Sequence, residues 1–74
     1  MFTYITTDPN ILGGKPVIKG TRLSVEFLLE LFASGATHRQ ILEAYPQLSA
    51  DAIAEALRYA AQALKNDFVF EVAA

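Results

Sequence analysis

Three helix-start signals, at Ser24, Thr37 and Ser49, constrain the fold of this chain more than any other feature. Serine and threonine are preferred N-caps because the side-chain oxygen accepts a backbone N–H that the first helical turn leaves without a partner. Stop signals follow the first two helices, at Gly35 and at Pro46. The pattern therefore predicts three helices, over about residues 24–34, 37–45 and 49–66.

The order and lengths of these helices are those of a helix-turn-helix unit, in which the third helix presents its outer face to the DNA major groove. That face is expected to carry four polar side chains, with Glu55 and Arg58 as an ordinary surface pair: Asp51, Glu55, Arg58 and Gln62. Two carboxylates on this face would repel the DNA phosphates, although a carboxylate can also accept a hydrogen bond from the N4 amino group of cytosine. A three-helix packing unit with a solvated acidic face is the alternative, and both interpretations stay open.

Residues 1–22 have a different character and predict an arm of extended chain and turns. Residues 4–7 and 16–18 favour strands, whereas Gly13-Gly14 and Lys19-Gly20 favour turns, so a short β-hairpin is expected. The arm carries Lys15, Lys19 and Arg22 against Asp8, a net charge of +2, while residues 23–74 carry seven acids against three bases, a net charge of −4. A small basic arm is thus joined to an acidic body.

Composition predicts association with a second chain. A domain of 74 residues buries only about 60% of its unfolded surface, and without cysteine it has no disulfide, yet 53% of its residues are hydrophobic. The first helix is apolar nearly all round, and residues 67–74 form an apolar tail, so a homodimer or a protein partner is expected there. The predicted partner contacts are Phe27, Leu28, Leu31, Phe32, Phe68, Val69, Phe70 and Val72.

Catalysis and metal or cofactor binding are not expected from these residues. The one histidine, His38, falls in the first turn of a capped helix, where an exposed position is expected. Gly13-Gly14-Lys15 is like the end of a phosphate-binding loop, but Pro16 stands where serine or threonine would bind magnesium. The longest apolar stretch, 25–33, is too short to span a bilayer, and with no visible signal peptide a cytoplasmic location is expected.

If the chain binds DNA, the arm and the start of the third helix are the expected contacts. The candidates are Lys15, Lys19, Thr21, Arg22, Ser49, Asp51 and Arg58. A dimer that used six arm charges would show a log–log salt slope of about −5. Solvated turn lysines without any DNA role are the alternative.

The string Gly-Gly-Lys-Pro-x-Ile-x-Gly-Thr-Arg at 13–22, with Ile-Leu-x-x-Tyr-Pro-x-Leu at 41–48, closely resembles domain-of-unknown-function family 433. The likeness covers about residues 4–64. It implies a compact helix-turn-helix protein, and many members are thought to be VapB-type antitoxins paired with a PIN-like ribonuclease toxin. By this resemblance the chain would bind such a toxin and, as a dimer, operator DNA. It supplies no catalytic motif.

Together these observations predict one mainly α domain over residues 1–74: a compact three-helix, homeodomain-like helix-turn-helix body at 23–66, preceded by a short N-terminal β-hairpin. The expected function is that of a noncatalytic antitoxin. A protein-interaction or dimerisation module without DNA binding is the alternative, because it accounts better for the acidic third helix.

Overall fold

The computed structural model describes residues 2–65, in which two short strands precede three helices. The strands are β1 (Ile5–Thr6) and β2 (Val17–Ile18), and the helices are α1 (Val25–Ala33), α2 (His38–Ala44) and α3 (Ala50–Leu64). The predicted mainly helical domain with an N-terminal hairpin is confirmed. The predicted partner contacts in the tail (68–72) lie outside the described residues.

Each helix begins at the N-cap that the sequence predicts. The Ser24 hydroxyl accepts the backbone N–H of Phe27 at 2.9 Å, and the Ser49 hydroxyl accepts the N–H three residues further on at 3.1 Å. Thr37 and Gln40 form a reciprocal capping box, with the two bonds at 3.1 and 2.9 Å. These bonds satisfy backbone N–H groups of the first turn that have no acceptor within the helix. The start of each helix is therefore determined by residues that are close together in the sequence.

The strand β2 is paired on both of its sides. On one side it runs antiparallel to β1, with Ile5 opposite Ile18. On the other side the N–H of Ile18 donates to the carbonyl of Leu23, and the N–H of Val25 donates to the carbonyl of Pro16, both at 2.9 Å. The second pairing ties the arm to the first residue of α1, so that the arm is a fixed part of the domain.

The core lies where the arm, α1, α2 and α3 meet, and α3 packs against both α1 and β1. Its buried apolar residues are Ile5, Val17, Ile18, Val25, Leu28, Ile41, Leu48, Ala52, Ile53 and Ala56. Leu28 is only 1% exposed, so it packs inside this chain and offers no surface to a partner, contrary to the sequence-based expectation. Among the described residues, no helix is long and apolar enough to cross a membrane.

Candidate functional site

The connection between β1 and β2 contains a left-handed turn. Leu12, Gly13 and Gly14 have φ values of +50°, +67° and +90°, and the N–H of Gly14 closes the turn on the carbonyl of Ile11 at 3.0 Å. The sequence predicts a turn at the two glycines, which adopt positive φ without steric cost. The left-handed stretch begins one residue earlier, at a leucine.

Leu12 combines two unfavourable features. A positive φ brings the Cβ of an L-residue too close to the following carbonyl, and among the described residues Leu12 is the one non-glycine residue with this conformation. Its side chain is also 44% exposed, so a large apolar group is presented to solvent. Backbone strain of this kind persists only where the surrounding structure imposes it, and it is concentrated at active sites, ligand clamps and switch regions.

The Leu12 side chain lies beside a surface groove of about 490 Å³, which we call the arm groove. The residues that line it are Leu12, Lys15, Arg22, Leu23, Ser24 and Phe27. Phe27 is held in place by Tyr45, the residue that follows α2, since the two rings meet edge-to-face with centroids 5.8 Å apart. The groove therefore has apolar walls and two cationic side chains, which is the composition of a site for an apolar segment that carries negative charge.

One of these two cations already has a partner in the chain. The ammonium of Lys15 donates to Glu26 Oε1 of α1 at 2.8 Å. The hydrogen bond to Glu26 and the charge of that carboxylate raise the pKa of Lys15, and Lys15 lowers the pKa of Glu26 for the same reasons. Lys15 is exposed as well, but within residues 2–65 only Lys19 and Arg22 of the arm's cations have no carboxylate within 4.0 Å, so these two carry its unpaired positive charge.

Two predicted DNA contacts have hydroxyl groups that are engaged within the chain. Thr21 Oγ1 donates to the carbonyl of Ile18 at 2.8 Å and accepts the N–H of Leu23 at 3.0 Å, closing the turn after β2. Ser49 is the N-cap of α3. Asp51 and Arg58 are exposed on α3. The seven candidate DNA contacts thus do not form one free surface. The hydroxyl groups of Thr21 and Ser49 stabilise the fold, whereas Lys19 and Arg22 are exposed at the turn after β2.

Glu55 is not on the exposed outer face of α3, so the predicted surface position of this residue is wrong. Its side chain is 7% exposed and accepts the backbone N–H of Tyr4, which joins α3 to the start of β1. Burial alone would raise the pKa of Glu55, but the backbone N–H groups of residues 3–5 and the positive charge of Arg58 outweigh it and hold that pKa below its ordinary value. A signal was present in the sequence, since Glu55 is spaced three and four residues from the core-facing Ala52 and Tyr59.

The predicted partner residues of α1 divide into two groups. Leu28 is buried in the core, whereas Phe27, Leu31 and Phe32 remain partly exposed. Phe32 packs against the exposed His38 of α2, with ring centroids 5.0 Å apart. No group of three or more histidine, cysteine, aspartate or glutamate side chains suited to a metal ion occurs in the described part of the chain.

Comparison with known proteins finds one family whose model matches most of the chain. Residues 5–60 match the family described as "Protein of unknown function (DUF433)". The uncharacterized protein y4eO of Sinorhizobium fredii strain NGR234 is 43% identical over 56 residues, which is 76% of this chain and 25% of that protein.

A solved structure, that of a DUF433 member protein from Anabaena variabilis ATCC 29413, has the same fold. It superposes with a TM-score of 0.80 and 31% identity, over 84% of this chain and 61% of that one. The chain thus spans about a quarter of the length of the rhizobial protein and about three-fifths of the cyanobacterial chain.

Proposed function

Since this chain belongs to DUF433, a family of proteins of unknown function, we propose that it is a noncatalytic binding protein of the antitoxin type. In this proposal the arm groove engages a protein partner. The resemblance to VapB-type antitoxins makes a PIN-like ribonuclease toxin the proposed partner. The partly exposed Leu31 and Phe32 are the proposed contacts of a homodimer.

The observation that carries the proposal is the strained and exposed Leu12. Its conformation would be relaxed by glycine, and its side chain would be less costly in solvent if it were polar. Burial of part of the side chain offsets some of this cost within the chain, but 44% of Leu12 stays exposed where it lines the arm groove. A partner that covers Leu12 would recover the hydrophobic free energy of its exposed surface, as large apolar anchors do at protein interfaces.

The charges of the arm groove indicate the chemistry of the partner. Arg22 has no carboxylate within 4.0 Å among residues 2–65, and its planar guanidinium suits bidentate pairing with a carboxylate. Lys15 is already held by Glu26, so it adds less net attraction. A fitting ligand is therefore a segment of the partner with an apolar side chain for the walls and an aspartate or glutamate for Arg22.

Co-expression with the product of the adjacent gene tests this function. The two proteins are purified through a tag on one of them, and light scattering measures the mass of the eluted complex. Reversal of the groove charge in Arg22→Glu should abolish the complex. The matched control Arg39→Glu, at an exposed position on α2 outside the groove, should leave it intact. A complex that survives Arg22→Glu, or a chain that elutes alone, would contradict the proposal.

DNA binding is the second candidate function, and the position of Glu55 favours it. With Glu55 turned towards β1, the outer face of α3 retains Asp51, Arg58 and Gln62 and carries one fewer carboxylate to repel phosphates. Lys19 and Arg22 supply positive charge beside Gly20 on the turn after β2. The proposed DNA contacts are therefore Lys19, Arg22 and Arg58.

The salt dependence of DNA binding measures how many charges take part. Lys15 is paired with Glu26, so a dimer offers four arm cations instead of the six expected from the sequence. Fluorescence anisotropy with a duplex from upstream of the gene should give a log–log slope of about −5, from roughly 0.9 per phosphate neutralised by the four arm cations and the two Arg58 side chains. Arg22→Ala with Lys19→Ala should flatten the slope. If the protein does not bind DNA even at low salt, DNA binding is excluded and the protein is an interaction module only.

A further inference from the structure

The arm groove continues along α1 into a second, more polar pocket. This pocket has a volume of about 250 Å³, and we call it the α1 pocket. Its lining shares Lys15, Ser24 and Phe27 with the arm groove and adds two carboxylates of α1, Glu26 and Glu30. Because three residues line both depressions, the arm groove and the α1 pocket form one trough along the helix.

The two ends of this trough carry opposite charges. At the end where α1 begins, Lys15 is paired with Glu26, whereas Arg22 has no carboxylate within 4.0 Å among residues 2–65. At the other end Glu30 is exposed, and no lysine, arginine or histidine of the same residues lies within 4.0 Å of its carboxylate. Since the charges of the Lys15–Glu26 pair cancel, the trough has a positive charge at Arg22 and a negative charge at Glu30.

The helix strengthens the negative field at the Glu30 end. Glu30 lies four residues after Glu26 on the same face of α1, where like charges repel each other. The hydrogen bond and the charge of Glu26 raise the pKa of Lys15, and the charge of Glu30 raises it further, so one lysine serves two carboxylates. The last turn of α1 contains no basic residue that would offset the partial negative charge of its carbonyl end. A cationic group of a ligand is therefore attracted to Glu30.

We propose that the trough binds a segment of the partner in which an acidic residue pairs with Arg22 and a basic residue pairs with Glu30. Apolar side chains between these two charges contact Leu23 and Phe27. A helix rises about 1.5 Å per residue, so Ser24 and Glu30 are about 9 Å apart along the axis, which an extended segment spans in about three residues. Glu30 is then a specificity-determining residue, because it selects acidic apolar segments that also carry a base. This inference rests on the proposed binding role of the arm groove.

Two synthetic peptides, capped at both ends and labelled with fluorescein, test the proposal by fluorescence anisotropy with the full chain. Both contain aspartate followed by three apolar residues, after which one has lysine and the other a second aspartate. The parent chain should bind the lysine peptide at least about fivefold more tightly, because an exposed ion pair contributes up to about fivefold in affinity and the second aspartate is repelled by Glu30. Glu30→Lys should invert this preference. The matched control Glu43→Lys makes the same change in net charge at an exposed position on α2 outside the trough, and it should keep the preference of the parent.

Three results would overturn the proposal: equal affinity for the two peptides, a preference that Glu43→Lys inverts as well, or no binding of either peptide at millimolar concentration. Failure of the proposed function is a separate result. A complex with the adjacent gene's product that is lost in Arg22→Glu but keeps its affinity in Glu30→Lys would overturn this inference alone. The absence of any complex with that product would contradict the proposed function itself.

Discussion

The substitution Leu12→Gly separates a binding role for Leu12 from a structural one. Release of the left-handed strain should stabilise the fold by about 1–2 kcal/mol. Glycine loses about 0.5–1 kcal/mol through its greater freedom in the unfolded chain. The side chain is 44% exposed, so loss of its buried part costs roughly 1 kcal/mol of the ~1.5–3 kcal/mol that a fully buried leucine contributes. These terms nearly cancel, and the free energy of unfolding should change by less than about 1 kcal/mol.

The same substitution should also weaken partner binding. A partner can cover only the exposed 44% of the side chain, so its removal costs roughly 1 kcal/mol of the ~1.5–3 kcal/mol for a fully buried leucine, which is about a fivefold loss in affinity. Leu12→Met is the matched control, because it keeps an apolar side chain at the same strained position and should bind within about twofold of the parent.

Thermal unfolding followed by circular dichroism and calorimetric titration with the adjacent gene's product measure the two quantities. A change of 1 kcal/mol shifts the Tm of a domain of this size by about 4–8 °C, so Leu12→Gly should stay within that range of the parent. A much larger fall in Tm would make Leu12 a structural residue. Unchanged affinity would remove it from the interface, and either result refutes the reasoning.

Three other substitutions test separate parts of the account. Because the pKa of Glu55 is lowered in the folded state, its stabilisation is present above the ordinary value of 4.5 and is lost as pH falls through the lowered one. Chemical unfolding between pH 3 and 7 should therefore show a smaller loss of stability on acidification in Glu55→Gln than in the parent; equal losses would assign the acid sensitivity to other groups. Leu28→Ala, at a position only 1% exposed, should cost about 2–5 kcal/mol in denaturant unfolding. A near-neutral result would mean that Leu28 is a surface contact. Lys15→Ala removes an exposed ion pair and should leave the Tm unchanged, and a clear fall would show that the pair stabilises the arm.

The helices could be predicted from the sequence because their start signals act locally. The caps at Ser24, Thr37 and Ser49 bind N–H groups only three residues away, so the sequence contains both partners of each bond side by side. The hairpin was equally accessible, since turn residues separate its two short strands. Local chemistry thus determined which elements form and where the helices begin.

Contacts between residues that are far apart in the sequence could not be predicted in the same way. The helical spacing predicts Glu55 in solvent, but its carboxylate accepts a hydrogen bond from the backbone of Tyr4, 51 residues earlier in the chain. The sequence likewise predicts Lys15 as an unpaired cation, and Glu26 lies beside it only because the arm packs against α1. The strain at Leu12 belongs to a backbone conformation that side-chain patterns do not reveal. The candidate site therefore emerged from the tertiary structure, although most of its residues lie within one short stretch of sequence.

Hydrogen exchange of the complex with the adjacent gene's product tests directly whether the arm groove is the binding site. Partner binding should slow amide exchange at residues 11–15 and 22–27, which contain the lining of the arm groove, while exchange on the outer face of α3 around Arg58 and Gln62 should change little. Protection confined to α3, with exchange around Leu12 unchanged, would contradict the assignment of the arm groove as the binding site.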